Sequence, residues 1–249
     1  MGKTKVAFVA STLVVGGAEN VLFNLVTHLP PDKIDSRTYL LREPGPVGVK
    51  LIRAGARCEH GLGPKRGDPR ILTRLASRFR SFAPQIVFTL DHHNAMFWGR
   101  LASLVARVPR RVVVSHSTGR MESAKSFTAV DRLLMRYTDA VVALSAAHTD
   151  YLRRVEGIDA SKIEVIENGI DIDRFSHAER AAAATLRDEL AIGDGEHVVT
   201  MVAAIRPEQA HDALLEAAAA LAADRADLDL KYLIVGDGPA RGDLEAARA

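Results

Sequence analysis

Short, nearly all-apolar runs alternate along this chain with stretches whose apolar residues return every three or four positions. The runs predict strands buried on both faces, and the spaced stretches predict helices. "KVAFVAS" is the first run, followed by a glycine turn and "AENVLFNLVTHL". There Val21, Leu22, Leu25 and Leu29 recur at helical spacing until Pro30-Pro31 stops the helix. "SRTYLLR" reads as a second strand. Helical patterning returns in "DPRILTRLASRFRSF", where Pro69 suits a first turn and Ile71, Leu72, Leu75, Phe79 and Phe82 form the apolar stripe. "PQIVFTL", "RVVVSHS", "DAVVALS" and "KIEVIEN" continue the strand series.

This alternation predicts an α/β fold, with a Rossmann-like doubly wound parallel sheet over residues 1–175. Right-handed crossovers gather the loops after the strand C-termini on one edge, where such folds bind ligands. Residues 176–196 are helical, close on Gly193 and Gly195, and read as a linker. Residues 197–249 then supply strand "VVTMVAA", helix "PEQAHDALLEAAAALAA", strand "LKYLIVG" and the start of a helix after "GDGP". They read as the first β-α-β part of a second Rossmann-like domain. A doubly wound domain of ordinary size runs to ~100–150 residues. Two strands and one full helix leave apolar surface and strand edges open, which would favour an oligomer formed through this part.

Composition narrows the class without fixing the chemistry. An apolar fraction of 47% and a charged fraction of 26% match an ordinary globular protein. The single cysteine, Cys58, excludes an internal disulfide. No apolar run approaches the ~20 residues of a membrane span. "MGKTKVAFVAS" lacks the longer apolar core of a signal peptide, so a cytoplasmic address is the expectation. The formal charge of +2 conceals polarity: residues 1–120 carry 19 Lys+Arg against 7 Asp+Glu, and residues 121–249 carry 14 against 24. The first part should attract phosphates or an anionic membrane. Lys65, Arg66, Arg70, Arg74, Arg78 and Arg80 concentrate that charge, with only Asp68 opposing them. Such a face rests on anionic lipid at ~1 kcal/mol per residue, or is simply solvated. Nucleic acid is not expected, because the basic segments lack interleaved aromatics.

Four places carry candidate chemistry. Gly16 and Gly17 sit between the first strand and the first helix, where a glycine pair lets backbone approach a phosphate beside a helix N-terminus, or only makes a tight turn. The pair is not the G-x-G-x-x-G dinucleotide fingerprint. His116 ends a predicted strand on the ligand edge; its plain alternative is a partly buried histidine satisfied by backbone. Asp91, His92 and His93 also end a strand. That run fits a metal-dependent phosphoesterase, but no early D-x-D partner accompanies it, and Asp171–Asp173 and Asp227–Asp229 are wrongly placed. Asn168-Gly169 favours a tight turn at the exit of the first sheet.

"GGAE", "SHSTG", "VIENGIDIDRF" and "RPEQAHDALLEA…YLIVGDGP" occur in an order that resembles family four of the glycosyltransferases, over essentially the whole chain. These are retaining enzymes of the GT-B fold, with two facing Rossmann-like domains. The resemblance implies a nucleoside-diphosphate sugar in the cleft between domains, with the first domain as the acceptor side and the second holding the donor. The departing diphosphate is stabilised by helix N-termini and cationic side chains, without metal or redox cofactor. By the same resemblance Gly16 and Gly17 lie near the diphosphate and the acceptor, and His116 approaches the donor sugar. His92, His93 and Asn94 enter the acceptor-lining helix, while Gly236 and Gly238 keep the family's turn. The acceptor implied is a hydroxyl on a glycan or lipid-linked saccharide, with peripheral contact at the inner membrane face.

The second part departs from that pattern. Ala204 stands where relatives carry an arginine and Gln209 where they carry a lysine, leaving Arg206 as the nearby cation for the diphosphate. Losing such a charge-assisted bond costs roughly 10²–10³ in rate. The family's paired glutamates, eight apart, find no match after "GDGP". The expectation is therefore a glycosyltransferase with an incomplete donor-binding domain over 197–249 and impaired transfer. The alternative is a non-catalytic sugar- or lipid-binding remnant.

Overall fold

The computed structural model describes residues 2–247 apart from 64, 66, 91–92, 117–128, 171, 176–179, 194 and 226. The chain separates into two compact units, Met1–Ile170 and Asp171–Ala249.

The first unit alternates strand and helix. Its elements are β1 (Thr4–Ala10), α1 (Gly17–His28), β2 (Ile34–Leu40), α2 (Gly45–Arg53), β3 (Cys58–Glu59), α3 (Arg70–Phe82) and β4 (Ile86–Leu90). Then come α4 (His93–Val105), β5 (Arg110–Val114), α5 (Ala129–Arg136), β6 (Ala140–Ala143), α6 (Ala146–Arg154) and β7 (Ile163–Val165). The seven strands form one sheet in the order β3-β2-β1-β4-β5-β6-β7. Every pair is parallel. Chain order reverses between β1 and β4, which makes their C-terminal ends the switch point where such sheets bind ligands.

Residues of β1 alternate between two cores, as a pleated strand requires. Ala7 and Val9 join Tyr39, Phe79, Phe82 and Ala102 under α3 and α4. Val6, Phe8 and Ala10 join Leu22, Val26, Val47 and Leu51 under α1 and α2. A third cluster, with Met96, Val113, Val141 and Leu152, fills the β5–β6 side. Gly99 lets α4 run close over the switch point: a Cβ there would lie 2.5 Å from Thr89 Cγ2 and 3.4 Å from Val9 Cβ.

Two features differ from the expectation. In α1 the inward residues are Glu19, Leu22 and Val26, while Leu25 is 42% exposed. The stripe is thus rotated away from Leu25, because the helix begins with Glu19 folded inward. The pattern also gives no sign of α2 or β3. Pro44, Gly45 and Gly48 break the helical signature, yet each is used: Gly45 adopts φ +68°, and Gly48 fits against Pro44 Cβ.

Lysine chemistry closes α5. Lys162 Nζ donates to the carbonyls of Met135, Arg136 and Thr138 at 2.9, 3.0 and 2.9 Å. A cation thereby satisfies the last carbonyls of a helix and the negative end of its dipole.

The second unit contains α7 (Arg180–Glu189), β8 (His197–Val202), α8 (His211–Asp224), β9 (Leu230–Val235) and α9 (Arg241–Ala247). β8 and β9 pair in parallel as a two-stranded sheet. Its apolar faces are only partly covered: Val202 is 74% exposed and Val235 44%.

Candidate functional site

The turn after β1 is built from below. Leu13 is fully buried, and its carbonyl accepts from the Val47 and Gly48 N–H groups at 3.0 and 3.4 Å. Those are first-turn donors of α2 that lack a partner within their own helix. In return Leu13 N–H donates to Pro44 O at 3.1 Å, and Thr12 Oγ1 donates to Glu43 O at 2.8 Å. The missed helix α2 is therefore the brace of the glycine turn.

Above that brace the chain leaves Val15 66% exposed and enters α1 through Gly16. Gly16 is extended, so φ does not demand glycine there. A Cβ on Gly16 would sit 2.3 Å from Glu19 Oε2, so the buried Glu19 carboxylate, a side-chain tip, would have to swing aside. At Gly17 a Cβ would meet nothing within 4 Å, so the space on that side of the helix start is open. Asn20 Nδ2 donates to Gly16 O at 2.8 Å and holds the turn to the helix. Sequence reasoning found the glycine pair but missed Glu19; the "GGAE" string was the available signal.

The neighbouring strand β4 ends at Leu90, Asp91 and His92 lie outside the described residues, and α4 begins at His93. Asn94, in the first turn, has its Nδ2 buried without a hydrogen-bond acceptor among the described residues. A buried amide donor left unmatched costs free energy, which makes it a candidate for a ligand oxygen. Gly16, Gly17 and Asn94 thus come from the two helix starts that follow β1 and β4 at the switch point.

His116 lies one strand further along. Ser115 N–H donates to Val142 O at 3.1 Å, carrying the ladder one residue past β5 and delivering half-buried His116 to the C-terminal edge. Ser115 Oγ and His148 Nε2 are 3.4 Å apart, and Leu144 N–H donates to His148 Nδ1 at 3.3 Å. Accepting at Nδ1 places the neutral ring's proton on Nε2, facing Ser115. Nothing in the sequence pattern singles out His148; its burial becomes visible only once β5 and β6 are paired.

In the second unit, Gly236 and Gly238 are used for close backbone packing. A Cβ on Gly236 would fall 1.9 Å from Ala203 O, and one on Gly238 2.2 Å from Ile205 O. Ile205 N–H donates to Asp237 O at 3.0 Å and Ala240 N–H to Ile205 O at 3.2 Å. Packing accounts for both glycines without a ligand. Arg206 is exposed and precedes the 3-10 turn Pro207–Gln209, whose Gln209 is also exposed.

The basic face around α3 is more occupied than its sequence implies. Arg70 clasps Asp68 through Nε and Nη2 at 2.9–3.1 Å, and this hydrogen bonding holds the Asp68 carboxyl below the ordinary carboxylate range. Arg78 donates to Glu59 at 2.7 Å, so Asp68 is not the only opposing carboxylate. Arg74 and Arg80 donate to the Leu62 and Val105 carbonyls at 2.9 and 3.1 Å. Lys65 stays exposed, and Arg66 lies outside the described residues. Among the described residues no helix is long and apolar enough to cross a membrane, and no three His, Cys, Asp or Glu gather as metal ligands would.

The model of Glycosyltransferase Family 4 matches residues 15–174. A D-inositol 3-phosphate glycosyltransferase of Nocardia farcinica is 35% identical over 254 residues, covering 95% of this chain and 53% of that protein. The enzyme of the same name from Rhodococcus jostii is 39% identical over 107 residues, 43% of this chain and 23% of that one. The chain spans about half the length of the Nocardia relative. Among solved structures, Anabaena HepE in complex with UDP and glucose superposes with a TM-score of 0.79 at 19% identity, covering 98% of this chain and 65% of that chain. A glycosyltransferase from Rickettsia africae superposes at 0.75 with 16% identity, covering 99% and 64%. At these identities the superpositions establish the GT-B-like fold alone.

Proposed function

The chain belongs to glycosyltransferase family 4, and on that premise we propose that it takes a sugar from a nucleoside-diphosphate sugar and passes it, with retention, to a hydroxyl acceptor. In this reading the first unit is the acceptor side and the second the donor side. Breaking the glycosidic bond puts negative charge on the departing diphosphate, which preorganised donors must stabilise. In the first unit the N-terminal turn of α1, with open space on the Cβ side of Gly17, offers N–H groups suited to such charge; the second unit, taken by itself, offers exposed Arg206 as a cation. Half-buried His116 stands at the donor sugar.

One observation carries the reading: the Asn94 amide at the switch point is a buried donor with no acceptor among the described residues. An acceptor hydroxyl or ring oxygen there relieves it and fixes the orientation of the attacking group. The relatives named for D-inositol 3-phosphate make a phosphorylated polyol the first acceptor to try, ahead of a glycan or lipid-linked saccharide.

A second reading, a sugar-binding module without turnover, is favoured by neutral Gln209 and Ala204 at the diphosphate positions. Calorimetric titration of the 249-residue chain with UDP-glucose and GDP-mannose separates the two. Saturable binding weakened about tenfold or more by Arg206→Ala supports the transferase. No donor binding at millimolar concentration overturns it in favour of the module.

A further inference from the structure

The start of α6 asks only for an acceptor at His148, yet the side chain there is also a donor. Ser145 caps the helix: its Oγ accepts from the His148 N–H at 3.1 Å, and His148 Nδ1 reaches back to accept from the Leu144 N–H at 3.3 Å. This reciprocal pair closes the helix start as a capping box does, with imidazole in the place usually taken by Glu or Gln. A carboxylate would complete that cap with acceptors alone. Imidazole keeps a second nitrogen, and with Nδ1 accepting, Nε2 carries the proton. Nε2 lies 3.4 Å from Ser115 Oγ, at the end of β5. His148 is 7% exposed and Ser115 fully buried, so water competes little for this contact. Tyr151, one turn along α6, flanks the imidazole with ring centroids 6.5 Å apart.

We propose that His148 is a positioning residue for His116, acting through Ser115. Ser115 immediately precedes His116, and its N–H already bonds Val142 O at 3.1 Å. The Nε2–H of His148 adds a second hold, on the side chain. With backbone and side chain both fixed, His116 leaves the sheet from one point, which limits the directions open to its ring. Such orientation of a reacting group acts on the chemical step more than on substrate affinity. The inference rests on the reading that His116 stands at the donor sugar; His148 itself is given no contact with substrate.

Ser115→Ala removes the hydroxyl and leaves the α6 cap whole. In the 249-residue chain, amide hydrogen exchange followed by NMR should quicken about threefold to tenfold at Ser115 and His116, the weight of one neutral hydrogen bond, with Val112 and Val113 unchanged. With UDP-glucose and D-inositol 3-phosphate, kcat should fall by about the same factor at unchanged KM. His148→Leu keeps a side chain of apolar bulk without either nitrogen and should lower kcat at least as far. Adding Ser115→Ala to it should cost nothing more, because both changes remove one contact. Unchanged exchange at His116 in Ser115→Ala overturns the proposal, as do losses in kcat that multiply in the double variant. Exchange is read without substrate, so a chain that transfers no sugar still decides whether His148 holds the strand end, and absent transfer counts against the proposed function alone.

Discussion

Replacing Gly45 by alanine tests the claim that α2 braces the glycine turn, and Gly55→Ala is its internal control. Both glycines have positive φ, +68° and +84°, so each alanine bears the left-handed penalty of about 1–2 kcal/mol. They differ in their surroundings. At Gly55 the new Cβ meets nothing within 4 Å, whereas at Gly45 it lies 2.6 Å from Leu13 O and 2.9 Å from Leu13 C. Backbone cannot swing aside as a side-chain tip can, so Leu13 must move. The movement weakens the bonds its carbonyl accepts from Val47 and Gly48, at about 1 kcal/mol each. The expected cost is therefore about 3–4 kcal/mol for Gly45→Ala and about 1–2 for Gly55→Ala. At about 2–4 °C per kcal/mol, the melting temperature should fall by about 10 °C and about 4 °C respectively. Thermal melts followed by circular dichroism at 222 nm report both. Donor titration of the folded variants should show weaker binding only for Gly45→Ala, since Leu13 anchors the turn three residues before Gly16. Equal melting shifts, or equal donor affinities, would refute the bracing.

The remaining predictions concern single groups. Burial pushes the Cys58 thiol up from 9.0 to about 11, with the Glu59 charge adding to the effect. Alkylation by iodoacetamide at pH 8 should therefore run roughly a hundredfold slower in the native chain than in urea. The unfolded thiol ionises first, so Cys58 should draw stability down as pH rises from 9 towards 11, and equal alkylation rates would contradict its burial. Lys162→Met removes three bonds to the end of α5 and should destabilise the first unit by about 2 kcal/mol in urea titrations. A loss below about 0.5 kcal/mol would show that those carbonyls find water equally well. Gly236→Ala drives a Cβ to 1.9 Å from Ala203 O and should open the β8–β9 unit to proteolysis, while Gly242→Ala, with open space, should not.

The central strands are legible because each is a short apolar run too brief for a helix, and Gly16-Gly17 stand out between strand and helix. What hides is long-range. α2 escapes because Pro44, Gly45 and Gly48 read as loop, and only the Leu13 carbonyl explains why they form a helix start. The basic stripe of α3 reads as free charge because Glu59, eleven residues before Arg70, comes beside Arg78 only after β3 joins the sheet. His148 and His211 look like ordinary polar residues near helix starts, and their burial depends on what packs above them. Gly236 and Gly238 show the reverse: a motif is visible, but backbone packing accounts for it.

The most direct measurement of the proposed chemistry is the product itself. The chain is incubated with UDP-glucose and D-inositol 3-phosphate, and the product is read by mass and by the NMR coupling at the transferred sugar's anomeric carbon. The account predicts a glucosylated polyol phosphate that keeps the donor's anomeric configuration, lost on Asn94→Ala and His116→Ala while the fold persists. Product of inverted configuration, or full turnover in the folded Asn94 and His116 variants, would contradict it.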